Sequence, residues 1–242
     1  MLLEHLFAPF VKTIDGIEFA IEYRLAEGQA GGDIVDVYEF DNRAVAFSVA
    51  DISGKGLQAA MHAGMIKYGL RAYASAGFVA EQVVRFMNRL LCENNKYEGT
   101  EAFASAFFAH IDVDRNTMVY SSAAHESVVV AEPDKPPRTL DVTGPLLGVF
   151  GEGTDFLQHT LQLYPGMIMV AVTDGVTEAH TSADDLFGSD RLIQLVDENR
   201  NRPMSHLASE ICKSALSFCG GEVRDDMAIL AVRFLRTSNA CP

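Results

Sequence analysis

Aspartates stand at four predicted strand ends, and three of these ends also carry glycine. Asp51 and Asp174 each follow an almost wholly apolar run, in VADISGKG and VAVTDG, whereas Asp33 follows a glycine pair in GGDIVD. Asp225 and Asp226 come directly before the last apolar run, in RDDMAIL. Carboxylates that converge without nearby lysine or arginine repel one another, and divalent cations such as Mg²⁺ or Mn²⁺ relieve that repulsion. The pattern therefore predicts a divalent metal site, although any one of these aspartates is by itself an ordinary turn residue.

The elements that must position these aspartates follow from the spacing of apolar residues. Alternation predicts strands and a spacing of three to four predicts helices. The predicted strands are 17–25, 34–40, 43–50, 103–112, 118–124, 127–130, 154–163, 167–173 and 227–234, and the predicted helices begin near 57 and span about 79–92, 189–198 and 204–218. Consecutive hairpins favour antiparallel sheets, and helices grouped in pairs favour an α+β fold in four layers, helix–sheet–sheet–helix.

Three local expectations accompany this element order. The loop EPDKPPR at 132–138 is predicted to join two strands as a hairpin, as are the turns at 41–42 and 164–166, the last joining strands 154–163 and 167–173. The methionine-rich segment 61–65 is expected to pack in the core. One domain is expected over residues 1–242, with its core at about 17–235.

Composition excludes several functional classes. The 242 residues carry a formal net charge of -14, which disfavours nucleic acid and anionic lipid as partners. The four cysteines are scattered without a CxxC spacing, so reduced thiols in the cytoplasm are expected. No apolar run has the length of a membrane helix, and the first residues lack the features of a signal peptide, so no membrane insertion is expected. The histidines show no HxH or HExxH pattern, which disfavours a zinc hydrolase.

Seven motifs together resemble one protein family. In chain order they are GGDIVD, VADISGKGLQAA, SSAAHE, GPLLGV, VTDGVTEA, FGSDRL and RDDMAIL. This order is similar to that of bacterial metal-dependent protein serine/threonine phosphatases of the PPM superfamily, in its SpoIIE/RsbU-like branch. The resemblance covers about residues 17–235, and it implies the same αββα sandwich that the element order favours.

The resemblance also implies a set of metal ligands. Asp33 is expected to bind metal, and Asp51 is expected to bridge two Mn²⁺ or Mg²⁺ ions with the backbone carbonyl of Ile52 as a further ligand. Asp174 and Asp225 are expected to hold the second ion. The implied reaction is hydrolysis of a phosphomonoester by a water that the two ions activate, with these four aspartates as the catalytic set and no covalent intermediate. The resemblance also leaves Asp36 and Asp226 as additional candidates.

Several positions depart from the family patterns. Ser53 stands where type 2C phosphatases outside this branch have histidine, and AEGQAGG at 26–32 lacks their phosphate-binding arginine. Within the branch, AGHN would be expected where this chain has AAHE at 123–126, and DDxT becomes DDMA with Ala228. None of these changes removes an expected metal ligand, but the general acid is left unidentified. His125 is expected to have a structural hydrogen-bonding role, Lys55 to be solvated, and Glu178 to lie near the metals or to stabilise a turn.

Three functions remain open at this point. The first is a protein phosphatase acting on phosphoserine or phosphothreonine, and the resemblance implies a STAS-type anti-sigma-factor antagonist as its substrate in a stress-response, partner-switching pathway. The second is a phosphatase-like binding module without turnover, and the third is a small-molecule or nucleic-acid phosphoesterase. Relatives are often fused to sensory domains, so a separate sensory or activating partner, or a sensor absent from this chain, is also expected.

Overall fold

The chain forms two compact units, which are described separately below. A computed structural model describes residues 14–26, 31–40, 44–112, 115–125, 128–151, 153–182 and 185–235. The first unit comprises Met1–Lys12, Ala30–Glu126 and Asp141–Gln162, and the second comprises Thr13–Gln29, Ser127–Leu140 and Leu163–Pro242. That the units form one domain stays a prediction.

The predicted helices and strands occur in the predicted order, and four short elements that were not predicted are added to them: one helix at Asp174–Thr177 and strands at Arg138–Thr139, His180–Ser182 and Asp185–Leu186. The helices are α1 (Leu57–Ser75), α2 (Ala80–Glu98), α3 (Asp174–Thr177), α4 (Gly188–Glu198) and α5 (Met204–Phe218). The strands are β1 (Ile17–Arg24), β2 (Ile34–Phe40), β3 (Ala44–Ile52), β4 (Ala104–Asp112), β5 (Thr117–Ala123), β6 (Val128–Ala131), β7 (Arg138–Thr139), β8 (His159–Gln162), β9 (Ile168–Val172), β10 (His180–Ser182), β11 (Asp185–Leu186) and β12 (Met227–Phe234).

The first unit is an antiparallel sheet covered by two helices. Its strand order is β2-β3-β4-β5-β8, and β2 pairs with β3 so that Ile34 lies opposite Ala50. Helix α1 contacts β2 and β3, and α2 contacts β4 and β5. Small and apolar side chains of the strands pack with both helices in one core cluster. Coverage by these helices explains the small residues Ala46 and Ala50 on one face of β3.

The second unit repeats the same plan with different elements. Its main sheet has the order β1-β12-β9-β6-β7, with every pair antiparallel, and β10 and β11 form a separate two-stranded sheet. Helix α5 packs on β1 and β12, and α4 packs on β6 and on α5. The five residues of β9 are all buried, as its continuous apolar sequence predicts.

Two of the predicted hairpins have different outcomes. The loop at 132–138 does join an antiparallel pair, β6 and β7, with Val130 opposite Arg138. The prediction that 154–163 pairs with 167–173 is wrong, because β8 pairs with β5 in the first unit whereas β9 lies between β12 and β6 in the second. The turn at 164–166 therefore connects two sheets. The predicted turn at 41–42 lies outside the described residues.

The buried face of α1 differs from the face that apolar spacing predicts. Leu57 and Met61 are 74% and 59% exposed, so the expected core packing of the methionine-rich segment is wrong for Met61. Met65 is partly buried against the core cluster. The inner face instead consists mainly of alanines with Ile66, Leu70 and two polar residues; its members are Ala59, Ala60, His62, Ala63, Ile66, Lys67, Leu70 and Ala74. Small side chains let a helix approach a sheet closely, which places the larger side chains on the outside.

Two further expectations concern cysteines and membranes. Cys92, Cys212 and Cys219 are free thiols in buried positions, whereas Cys241 lies outside the described residues. Within the part of the chain that the structure describes, none of the helices combines the length and the apolar character that a membrane crossing requires.

Candidate metal centre

The first pair of predicted ligands lies at one end of β2 and β3. Asp33 directly precedes β2, and Asp51 is the last but one residue of β3. Because Ile34 pairs with Ala50, continuing the register by one position sets Asp33 opposite Asp51. Residues opposite each other across a strand pair share one face of the sheet. The structure therefore brings these two candidates together at a single strand end.

Glycine shapes the backbone around this pair. A Cβ atom on Gly32 would lie 2.6 Å from the carbonyl oxygen of Ile52, which is closer than real Cβ contacts allow. Only glycine lets the GGD segment run this close to the Ile52 carbonyl, the predicted backbone ligand. The two carboxylates and this carbonyl supply the hard oxygen donors that Mg²⁺ and Mn²⁺ favour, so their chemistry fits such an ion.

Asp36 does not lie with Asp33 and Asp51 at the strand end, although it is only three residues from Asp33 in the sequence. On β2 it falls on the same face as Ile34 and Tyr38, which pack in the core cluster under α1. Its carboxylate is fully buried, accepts two hydrogen bonds from the Arg71 guanidinium, and lies 3.6 Å from the Lys67 ammonium. Two cations on α1 thus occupy the carboxylate that the sequence left as an additional metal candidate.

The second pair of predicted ligands lies where β9 ends and β12 begins. Asp174 is the first residue of α3, directly after the buried Thr173, and Asp225 precedes β12 by two residues. Thr173 and Ala228 join these ends with two hydrogen bonds, of 3.0 Å between backbone groups and 2.9 Å to the threonine hydroxyl. A Cβ on Gly175 would overlap the Asp226 carbonyl oxygen, so glycine is needed here as well.

The two neighbouring aspartates before β12 have different environments. Asp226 is buried, and its carboxylate accepts a hydrogen bond of 2.8 Å from the Ala26 backbone N–H. Asp225 is exposed and accepts a hydrogen bond of 2.9 Å from the Asp226 backbone N–H. Asp226 therefore ties the end of β1 to β12, whereas the exposed carboxylate of Asp225 is accessible to an ion.

In the second unit, the pKa of Glu178 responds to the neighbouring carboxylates. The pKa of Glu178 is raised by burial first, and then by the negative charges of Asp174 and Asp225. A like charge nearby disfavours ionisation, and a bound cation would remove that penalty. Across the described ranges, however, no three His, Cys, Asp or Glu side chains form a group that could hold a metal ion. Each unit supplies a pair of candidates, and the full ligand set stays a prediction.

Two polar residues near the first pair have structural partners. Ser53 donates its backbone N–H to the Phe103 carbonyl, and its hydroxyl accepts the Phe103 N–H, both at 2.9 Å. His125 is buried with Nδ1 2.9 Å from the Ser105 hydroxyl, and its carbonyl accepts a hydrogen bond from Ser122. These bonds agree with the structural role expected for His125.

Sequence reasoning missed Ser105, which pairs directly with Asp51 across β3 and β4. The register between distant segments decides this neighbour, and the only signal in the sequence was the polar motif SSAAHE on the adjacent strand. Ser105 links His125 to the strand end that carries Asp51.

Comparison with known proteins shows which family the chain belongs to. The sequence model of one family, described as stage II sporulation protein E (SpoIIE), matches residues 41–235. The chain belongs to the SpoIIE family. The match spans β3 and every later strand and helix, and so includes Asp51, Asp174 and Asp225. The resemblance read from the seven motifs is confirmed.

Relatives and solved structures agree with membership of the SpoIIE family. The phosphoserine phosphatase RsbU of Bacillus subtilis is 28% identical over 201 residues, which are 82% of this chain and 58% of RsbU. The chain thus spans less than two thirds of that relative. The SiaA-PP2C domain of Pseudomonas aeruginosa superposes with a TM-score of 0.76 at 19% identity, covering 89% of this chain and 85% of that domain. RsbX in complex with magnesium superposes with a TM-score of 0.69 at 17% identity, covering 92% and 97%.

These superpositions confirm the predicted fold class. The chain is an α+β protein with two mainly antiparallel sheets, each flanked by helices, as in PP2C-type domains.

Proposed function

We propose that this chain hydrolyses phosphoserine or phosphothreonine in a protein substrate and that it requires a divalent metal. The observation that carries the proposal is the pair of glycine-lined strand ends, one bearing Asp33 and Asp51 and the other Asp174 and Asp225, in a member of the SpoIIE family. The similarity to RsbU, named a phosphoserine phosphatase, supports the reaction. The similarity to RsbX, solved with magnesium, supports the metal.

The proposed ligands are the four aspartates together with the Ile52 carbonyl, for two Mn²⁺ or Mg²⁺ ions. When bound, such ions supply an activated water and neutralise charge on the phosphoryl group. The chain's own part is to hold carboxylates on rigid strand ends and to keep the Gly32 and Gly175 backbones close to the opposing carbonyls. Asp36 and Asp226 support this arrangement through Arg71 and Ala26 and are not proposed as ligands.

We further propose that the substrate is a phosphorylated STAS-type protein in a cytoplasmic partner-switching pathway, controlled by a sensory or activating partner. The support is the likeness to RsbU and the seven motifs of the SpoIIE/RsbU-like branch. An acidic chain with a net charge of -14 is a poor match for nucleic acid, which favours a protein substrate over a polynucleotide.

Phosphate release is the test of this function. The full chain is incubated with Mn²⁺ and one substrate at a time. The substrates are a phosphorylated STAS-domain protein, p-nitrophenyl phosphate and a nucleotide. We expect release from the phosphoprotein at the highest kcat/KM, with a loss of at least about a hundredfold in Asp51→Asn and Asp174→Asn. A higher kcat/KM for the nucleotide would instead indicate a small-molecule phosphoesterase. Partner regulation that persists in both variants would indicate a binding module without turnover.

A further inference from the structure

The turn after Leu147 exposes two large apolar side chains. Val149 and Phe150 are 48% and 68% exposed, whereas Leu147, two residues earlier, is fully buried. The surrounding segment GPLLGVFG, residues 144–151, contains no charged residue in a chain with a net charge of -14. Single exposed apolar residues are common on protein surfaces, so the exposure of Val149 and Phe150 does not by itself indicate a binding site.

Buried hydrogen bonds fix the backbone of this turn. The side chain of Asn88, which is fully buried on α2, accepts the Gly148 N–H and donates to the Gly151 carbonyl, both at 2.8 Å. The Thr154 hydroxyl donates to the same carbonyl at 2.9 Å. Both ends of the buried Asn88 amide therefore hold the backbone of this surface turn, and the turn itself satisfies the buried amide.

Two glycines complete the turn. Gly148 and Gly151 have φ values of +84° and +86°, which other residues adopt only with strain. A Cβ on Gly148 would also lie 2.5 Å from the Ala102 carbonyl oxygen, so the turn rests directly on the chain before β4. Hydrogen bonds and left-handed glycines thus define the backbone that carries Val149 and Phe150, which lowers the entropic cost of ordering this turn on binding.

The position of the turn relative to Ile52 follows from strand pairing. Ile52 pairs with Ala104, and Ala104 pairs with Leu147 in an isolated antiparallel bridge. Two strand spacings place Leu147 roughly 10 Å from Ile52. An extended peptide covers about 13 Å in four residues, so residues close to a phosphoserine held at this strand end could reach the turn. Phe103, also exposed, lies between the two.

We propose that the turn Gly148–Gly151 is a docking element for the phosphoprotein substrate, with Val149 and Phe150 packing on an apolar surface next to its phosphoserine. This inference rests on the proposed phosphatase function. The occupant is a protein because a small phosphate ester is too short to reach from Ile52 to the turn. The contact is apolar because residues 144–151 contain no charged residue.

The test compares two substrates in one variant. In the double variant V149A/F150A, the ratio of kcat/KM for a phosphorylated STAS-domain protein to kcat/KM for p-nitrophenyl phosphate should fall about tenfold, through KM of the phosphoprotein. The matched control is Tyr97→Ala, which removes an exposed aromatic residue from α2 about nine residues, or roughly 13 Å, beyond Asn88. That control should leave the ratio unchanged.

The outcomes separate docking from the proposed function. A ratio within twofold of wild type, or an equal fall for both substrates, would overturn the docking proposal while leaving the phosphatase intact. An equal fall of the kcat/KM ratio in Tyr97→Ala would also overturn the docking proposal, because the effect would then not be specific to the turn. Absence of phosphate release by the wild-type chain from either substrate would overturn the proposed function, and the docking proposal with it.

Discussion

Replacing Asp36 by asparagine should destabilise the first unit strongly, because it leaves the buried Lys67 and the partly buried Arg71 without their carboxylate. Asp36 is fully buried, and Lys67 is 1% exposed. Arg71 binds the carboxylate through two donors and also lies over the rings of Tyr38 and Tyr68, 5.1 and 5.8 Å from their centroids. Asparagine keeps the size of the side chain, but it removes the charge and replaces one of the two oxygens that accept from Arg71 by an NH₂ group. The loss therefore reports the charge together with one hydrogen bond.

The magnitude follows from the burial of Asp36 and Lys67, whereas Arg71 is only partly buried. Breaking a buried ion pair by removing one partner costs about 3–5 kcal/mol, since the other charge is left in a medium of low dielectric. The remaining Lys67 can relieve this cost by losing its proton. Its pKa is already lowered from 10.5, first by burial, while the attraction of Asp36 raises it. A lowered folded-state pKa means that stability increases as pH rises toward 10.5, so the deficit of Asp36→Asn should shrink in alkaline solution.

Urea unfolding of the variants measures this effect. Glu39→Gln is the matched control, because it neutralises an exposed carboxylate on the same strand, and it should change the free energy of unfolding by less than about 0.5 kcal/mol. The double variant D36N/K67M should recover part of the loss. A deficit below about 1 kcal/mol in Asp36→Asn at pH 7 would refute the reasoning, as would a deficit that grows with pH.

Three further predictions concern other parts of the chain. Asn88→Ala should lower the free energy of unfolding by about 2 kcal/mol, measured in urea, because both backbone hydrogen bonds that fix the 148–151 turn are lost. Gly175→Ala should lower the free energy of unfolding by about 1–3 kcal/mol, because there is no room for its Cβ atom. Gly153→Ala, which has open space around it, should leave the melting temperature unchanged when both variants are compared by thermal melting. Burial lowers the pKa of His110 from 6.5, with Asp112 opposing, so stability should fall as pH drops below 6.5, and His110→Gln should flatten that slope.

Most strands and helices could be predicted from the local sequence, because apolar residues alternate along strands and recur every three to four residues along helices. Strands such as β3 and β9 carry continuous apolar runs, and the helices α2, α4 and α5 show apolar spacing of three to four. The pairing of β8 with β5 could not be predicted in this way. The turn at 164–166 has good hairpin chemistry, and only long-range pairing shows that it joins two sheets.

The face that α1 buries was also beyond local pattern. Apolar spacing pointed to Leu57 and Met61, yet the buried face carries alanines and Lys67. A lysine is rarely buried without a partner, and its partner Asp36 lies 31 positions earlier on another element. The sequence shows both residues, but only the fold shows that they meet.

The position of the candidate aspartates at strand ends could be predicted from their neighbouring apolar runs and glycines, whereas their role as metal ligands stays a prediction. GGD and TDG each place a glycine next to an aspartate, and the structure shows that Gly32 and Gly175 leave no room for a side chain. The resemblance favours Asp225 over Asp226, but the physical difference between them could not be predicted, because it lies in burial and in the hydrogen bond from Ala26 to Asp226.

Titration of the chain with Mn²⁺ by isothermal calorimetry tests the central proposal most directly. If Asp33, Asp51, Asp174 and Asp225 are the ligands, the wild-type chain should bind two ions, and Asp51→Asn should weaken that binding by at least about tenfold while Asp134→Asn, an exposed aspartate in the 132–138 loop, should not. Failure of the wild-type chain to bind Mn²⁺, or equal binding by wild type and Asp51→Asn, would contradict the account.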